Sequence, residues 1–130
     1  MKIGELAKRS GCSVQTIRHY EREGLLSSVA RSEGNFRLYD ERAEERLMFI
    51  KRCRNLDLSL QEVKQLLTLS QNLEAACDQA NSIVEQHISL IEVRITEFQN
   101  LRQQLHELRN NCSANRTVEE CGIIKNLLQH

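Results

Sequence analysis

Two thiols, Cys112 and Cys121, stand at the ends of CSANRTVEEC, and a third, Cys77, lies 35 positions before the first. Thiols so placed support two chemistries: a disulfide closing a polar loop, or thiolate ligation of a soft or borderline metal ion. The cysteine total of 5 is odd, and the opening MKIGELAKRS holds no apolar run suited to a secretory leader or a membrane span. A chain kept in the reducing cytoplasm is the expectation, and a disulfide framework is disfavoured there. Cys12 and Cys53 lie among apolar or turn positions and suit buried small hydrophobes.

The thiols need an element to position them. From Leu73 to Asn111 the chain has neither proline nor glycine and is rich in helix formers, which predicts one long helix. Alternating steps of three and four from Cys77 pass through Ala80, Val84, His87, Ile91, Arg94, Phe98, Leu101, Leu105 and Leu108 to Cys112. This heptad seam, interrupted by His87 and Arg94, predicts a two-stranded coil and a homodimer. On one straight helix Cys77 and Cys112 lie about 52 Å apart, so they cannot meet within a chain. A parallel coil leaves two separate cysteine pairs; an antiparallel coil brings Cys77 of the partner subunit beside Cys112.

Asn110, Asn111 and the polar residues 113 to 116 are expected to end the helix and let Cys121 fold back onto Cys112. Gly122, Ile123, Ile124, Leu127 and Leu128 then read as a short apolar helix over the site. Three thiolates with no further Cys or His in the loop favour Cd(II), Pb(II) or Hg(II) over a tetrahedral Zn(II) cage, with Glu119 or Glu120 as possible oxygen donors. His87 and His106 read as structural, with a minor role for His87 near the coil.

Charge divides the chain. Residues 1 to 56 hold twelve Lys and Arg against eight Asp and Glu, whereas residues 57 to 130 hold six against ten, so only the first half suits a polyanion. Only 4% of residues are aromatic and none is tryptophan, which favours helix-on-helix burial over a thick core. In IGELAKRSGCSVQTIRHYEREGLL, Ile3, Leu6 and Ala7 have helical spacing, Gly11 breaks the run, and Ser13 can cap a helix from Val14. That helix would expose Gln15, Thr16, Arg18 and His19 and turn Val14, Ile17 and Tyr20 inward. In ARSEGNFRLYD, Gly34-Asn35 is a turn between short strands, a wing from which Arg31, Arg37 and Tyr39 would reach the DNA backbone. Asp40 and the capping box Ser59 to Glu62 start two more helices, the first with Leu47, Ile50 and Leu56 on one face.

IGELAKRSGCSVQTIRHYEREGLL, RSEGNFRLY and RCRNLDLSLQEVKQLL together resemble the N-terminal winged-helix domain of the MerR family of bacterial transcription regulators, and the similarity runs on to the C-terminal cysteines. The fold expected is mainly α. Residues 1–70 would form a winged helix-turn-helix DNA-binding domain, 71–111 an antiparallel coiled-coil dimerisation helix, and 112–130 a metal-binding loop with a short helix. The resemblance implies a dimer on a pseudo-palindromic promoter, with Thr16, Arg18, His19 and Tyr20 in the major groove and Arg37 and Tyr39 on the wing. It also implies an inducer metal that distorts an overlong promoter spacer so that RNA polymerase engages it. Within the family, copper regulators carry serine where Cys77 stands, and the redox-sensing branch has an iron-sulfur motif missing here. The sequence is most similar to the cadmium- and lead-responsive branch, with Hg(II) or Zn(II) response as the alternative. A thiol redox sensor and a metal-sequestering protein are the rivals from other classes. No nucleophile, base and orienter recur at a meaningful spacing, so no enzyme is expected.

Overall fold

The computed structural model describes residues 1–28, 30–113 and 116–129. Two compact units divide it, Met1–Ala80 and Asn81–His130.

The first unit opens with α1 (Ile3–Ser10) and α2 (Val14–Arg22), continues through a two-residue hairpin of β1 (Ala30–Arg31) and β2 (Arg37–Leu38), and closes with α3 (Glu41–Asn55) and α4 (Leu60–Ser70). Helix α1 stops because Gly11 takes a left-handed φ of 74° and returns its N–H to the Ala7 carbonyl. Ser13 then caps α2 by accepting the Thr16 N–H at 3.0 Å. Lys51 on α3 reaches across to donate to the Ser10 carbonyl at 2.9 Å, tying the end of α1 to the third helix. Leu6, Ile17, Leu25, Leu47, Ile50 and Val63 are fully buried and bring all four helices into one core.

Strands β1 and β2 pair antiparallel with Ala30 opposite Leu38 and Arg31 opposite Arg37, and Lys2 bridges to Leu38 on the other side. The connecting turn is closed by the Asn35 N–H on the Ser32 carbonyl at 2.9 Å, with Asn35 at a φ of 62°. Position 29, just before β1, lies outside the described residues.

Asp40 caps α3 by accepting the Ala43 N–H, and Ser59 and Glu62 form both halves of the capping box on α4. The expected face of α3 needs one correction. Leu56 lies outside the helix and is exposed, while Leu58 is buried in its place. Asp57, at a φ of 68°, reverses the chain, and the Leu58 N–H reaches the Cys53 carbonyl. Replacing Ser59 by alanine removes the acceptor for the Glu62 N–H, and thermal unfolding should report a loss of about 1 kcal/mol.

The second unit is dominated by α5 (Asp78–Arg109), followed by a short 3-10 turn (Val118–Glu120) and α6 (Gly122–Leu128). At 32 residues, α5 is about 48 Å long. It starts later than the expected Leu73, because residues 73–77 are spent on turns after α4, one closed by the Ala75 N–H on the Asn72 carbonyl. Along the seam Val84, Phe98, Leu101 and Leu105 are exposed, Phe98 to 69% and Leu105 to 66%, while His87 is buried. Among the described residues no helix is long and apolar enough to cross a membrane.

Candidate metal-binding loop and nucleic-acid interface

The end of α5 unwinds in steps. The Asn110 N–H still bonds the His106 carbonyl, whereas those of Asn111 and Cys112 reach back only three residues, to Leu108 and Arg109. The expected loop includes positions 114 and 115, which lie outside the described residues. Beyond them the 3-10 turn closes through the Cys121 N–H on the Val118 carbonyl, and Cys121 becomes the residue before the first turn of α6.

Gly122 makes the return possible. Its backbone lies so close to the end of α5 that an added Cβ would fall 2.0 Å from the Asn111 carbonyl oxygen. This approach brings the two loop cysteines close enough for each to perturb the other's titration, while the Cys112 thiol donates to the Ser113 carbonyl at 3.8 Å. At Cys121 the nearby backbone N–H groups of Ile124 and Ile123, and then the Cys112 thiol, hold the pKa below the ordinary thiol value against the opposing effect of burial. Cys112 is pushed up by the neighbouring Cys121, first through its thiol and then through its charge.

The two thiols are shifted in opposite directions, so Cys121 gives up its proton more readily than Cys112. At about pH 7, iodoacetamide should modify Cys121 before Cys112, as peptide mass spectrometry would resolve. Equal rates would contradict this division of charge.

Two sulfurs suit a soft ion but do not complete its shell. Among the described residues no group of three or more His, Cys, Asp or Glu is placed to hold a metal, so Glu119 and Glu120 are not gathered with the pair. Cys77 stands exposed in the turn before α5. It borders an apolar groove of about 340 Å³ lined by Phe49, Leu66, Leu69 and Leu73. Cys53 is buried, which raises its pKa, and Cys12 is half-buried in the turn after α1.

The candidate nucleic-acid surface differs from the sequence expectation in two residues. Gln15, Arg18 and His19 project from α2, and Thr16 is half-buried, its hydroxyl accepting from Ser13 at 2.8 Å. Tyr20 is buried in the core, which agrees with its inward helical position and removes it from the groove-reading set. Tyr39 is also corrected: its ring is buried and its hydroxyl donates to Glu21. With a strand only two residues long, the expected alternation is lost, and Phe36 is exposed under the Lys2 ammonium instead.

On the wing, Arg31 is exposed and donates to the Asn35 carbonyl at 3.1 Å. Arg37 pairs with Glu21 at 2.8 Å while its side chain stays 42% exposed. Lys2, Arg18, Asn35 and Arg37 border an open groove of about 450 Å³ between the start of α1, α2 and the wing. Sequence reasoning passed over Glu21. Its position four residues after Ile17 puts it on the inward side of α2, a place where an acid needs a partner.

Residues 1–69 match the MerR HTH family of regulatory proteins, and residues 44–108 match the MerR DNA-binding family. The chain belongs to the MerR family. The MerR match at residues 1–69 covers α1 to α3 and all but the last residue of α4, including the helix pair and wing described above. A curated relative from Haemophilus influenzae, the HTH-type transcriptional regulator ZntR homolog, is 45% identical over 130 residues, covering 100% of this chain and 93% of its own. The crystal structure of the transcription regulator PbrR691 from Ralstonia metallidurans CH34 in complex with lead(II) is 50% identical, with a TM-score of 0.87 over 98% of each chain. The transcriptional regulator MerR of Bacillus megaterium MB1, in complex with mercury(II), is 31% identical with a TM-score of 0.72, over 99% of this chain and 100% of its own. This MerR-family chain is a transcription regulator and not an enzyme.

Proposed function

We propose that this protein is a homodimeric, metal-responsive transcription regulator that activates a heavy-metal efflux or resistance promoter, with Cd(II) or Pb(II) as inducer. The observation that carries the reading is the convergence of Cys112 and Cys121 on a turn closed over Gly122. The lead(II) complex of a 50% identical relative supports the choice of ion. Hg(II) is the second reading, favoured by the mercury(II) complex of a 31% identical one.

The exposed apolar seam of α5 supplies the dimer contact, because a row of such residues on a long helix gains most by facing its like. In the antiparallel arrangement, Cys77 of the partner subunit completes a three-thiolate shell with Cys112 and Cys121. Ligation across the interface then couples the two subunits and favours one conformation to the extent that it binds that conformation more strongly. On DNA, Gln15, Thr16, Arg18 and His19 read one major groove per subunit, while Arg31 and Arg37 meet the backbone. The favoured conformation bends and untwists an overlong promoter spacer, so that RNA polymerase can engage it.

Titration of the reduced protein with Cd(II), Pb(II), Hg(II), Zn(II) and Cu(I), read by thiolate-to-metal absorption and by run-off transcription, tests the proposal. Tightest binding and strongest activation by Cd(II) or Pb(II) are expected. Activation by Hg(II) alone selects the second reading, and response to oxidant without metal overturns both.

A further inference from the structure

The groove between α2 and the wing holds an acid where DNA would bring more negative charge. Glu21 lies only 11% exposed, accepting the Tyr39 hydroxyl on one carboxylate oxygen and pairing with the Arg37 guanidinium at 2.8 Å on the other. Arg18, Arg22 and Arg37 surround it around an open concavity of about 390 Å³. Tyr39 is buried, so its hydroxyl fixes the carboxylate from the core side. The carboxylate in turn holds Arg37 from behind and leaves part of the guanidinium facing solvent. An arginine carries five N–H donors, so one carboxylate contact leaves others available for a phosphate.

From these contacts we infer that Glu21 is a positioning residue for DNA binding: it anchors the wing to the recognition helix and presents Arg37 to a backbone phosphate. Without it Arg37 keeps its charge but loses its direction. The inference rests on the proposed use of α2 and the wing as the DNA surface. It runs against the simplest electrostatic expectation, that removing an acid beside a polyanion strengthens binding.

The test uses the full-length protein and a duplex selected by the wild-type protein from a randomised palindrome library, with a scrambled duplex as control. Glu21→Gln keeps an oxygen for the Tyr39 hydroxyl and removes the charge facing Arg37. Specific affinity should fall roughly tenfold, in line with a weakened charge-assisted contact, while the salt dependence keeps its slope because the Arg37 cation still neutralises the same phosphate. Arg37→Ala should weaken binding and flatten the slope by about 0.9, the signature of one lost phosphate contact. In the Arg37→Ala background, Glu21→Gln should change nothing further. A purely structural glutamate would instead lower the unfolding midpoint and cost the same factor with or without Arg37. Equal costs in both backgrounds, unchanged affinity, or tighter binding by Glu21→Gln would each overturn the inference. Failure of the wild-type protein to select any duplex would instead sink the proposed DNA surface itself.

Discussion

Replacing Gly122 by alanine is expected to remove most of the metal affinity while leaving DNA binding unchanged. The added Cβ would meet the Asn111 carbonyl oxygen at 2.0 Å, its carbon at 2.9 Å and its Cβ at 3.0 Å. Two of these atoms belong to the backbone at the end of α5, so no rotamer change can relieve them. The segments must separate by about 1 Å or more to restore ordinary van der Waals contact. Such a separation carries Cys121 away from Cys112 and opens the pair that would hold the ion. Metal affinity should drop by roughly 10- to 100-fold, the range seen when groups that orient ligands are disturbed. Competition against a chromophoric chelator measures it, with circular dichroism and gel shift as controls for folding and DNA binding. An affinity within twofold of wild type would mean that the loop does not need this close approach.

The other large effect concerns the thiols themselves. Substituting Cys112 or Cys121 by serine should weaken Cd(II) or Pb(II) binding by roughly 300- to 8000-fold, taking each thiolate as a third of the stabilisation in a three-thiolate site. Mixed dimers make the same loss diagnostic of topology. One subunit carries Cys77→Ser, and the other carries both Cys112→Ser and Cys121→Ser. In the antiparallel arrangement the intact Cys77 and the intact loop pair lie on different chains and combine, so one of two sites survives. Titration to half the wild-type stoichiometry is expected. No high-affinity site at all would exclude the shared shell.

Why these residues were legible, and Glu21 was not, follows from the range of the forces involved. Helix starts were readable because caps are local: Ser13, Asp40 and Ser59 each bond an N–H three residues away. The fold-back of Cys121 onto Cys112 was readable because turn-forming residues and a glycine punctuate a helical run. The wing was less so, since a strand of two residues is too short for alternation to carry information. Tyr39 therefore looked outward on paper and packs inward in the fold. Its partner Glu21 lies 18 residues earlier, and nothing local announces a bond over that separation. Leu56 and Leu58 exchange roles for a similar reason, because a left-handed residue at Asp57 resets the helical phase. Cys77, the third ligand of the proposed shell, is marked only by its heptad position, since the loop of one chain carries just two of the three thiols.

The uncovered apolar face of α5 also makes stability a matter of mass action. With a second copy as its cover, each folded chain is stabilised in proportion to the logarithm of protein concentration, so the unfolding midpoint should climb as the sample is concentrated. A regulator made in few copies would then sit close to its own dissociation threshold, and its abundance would govern its fold as well as its promoter occupancy.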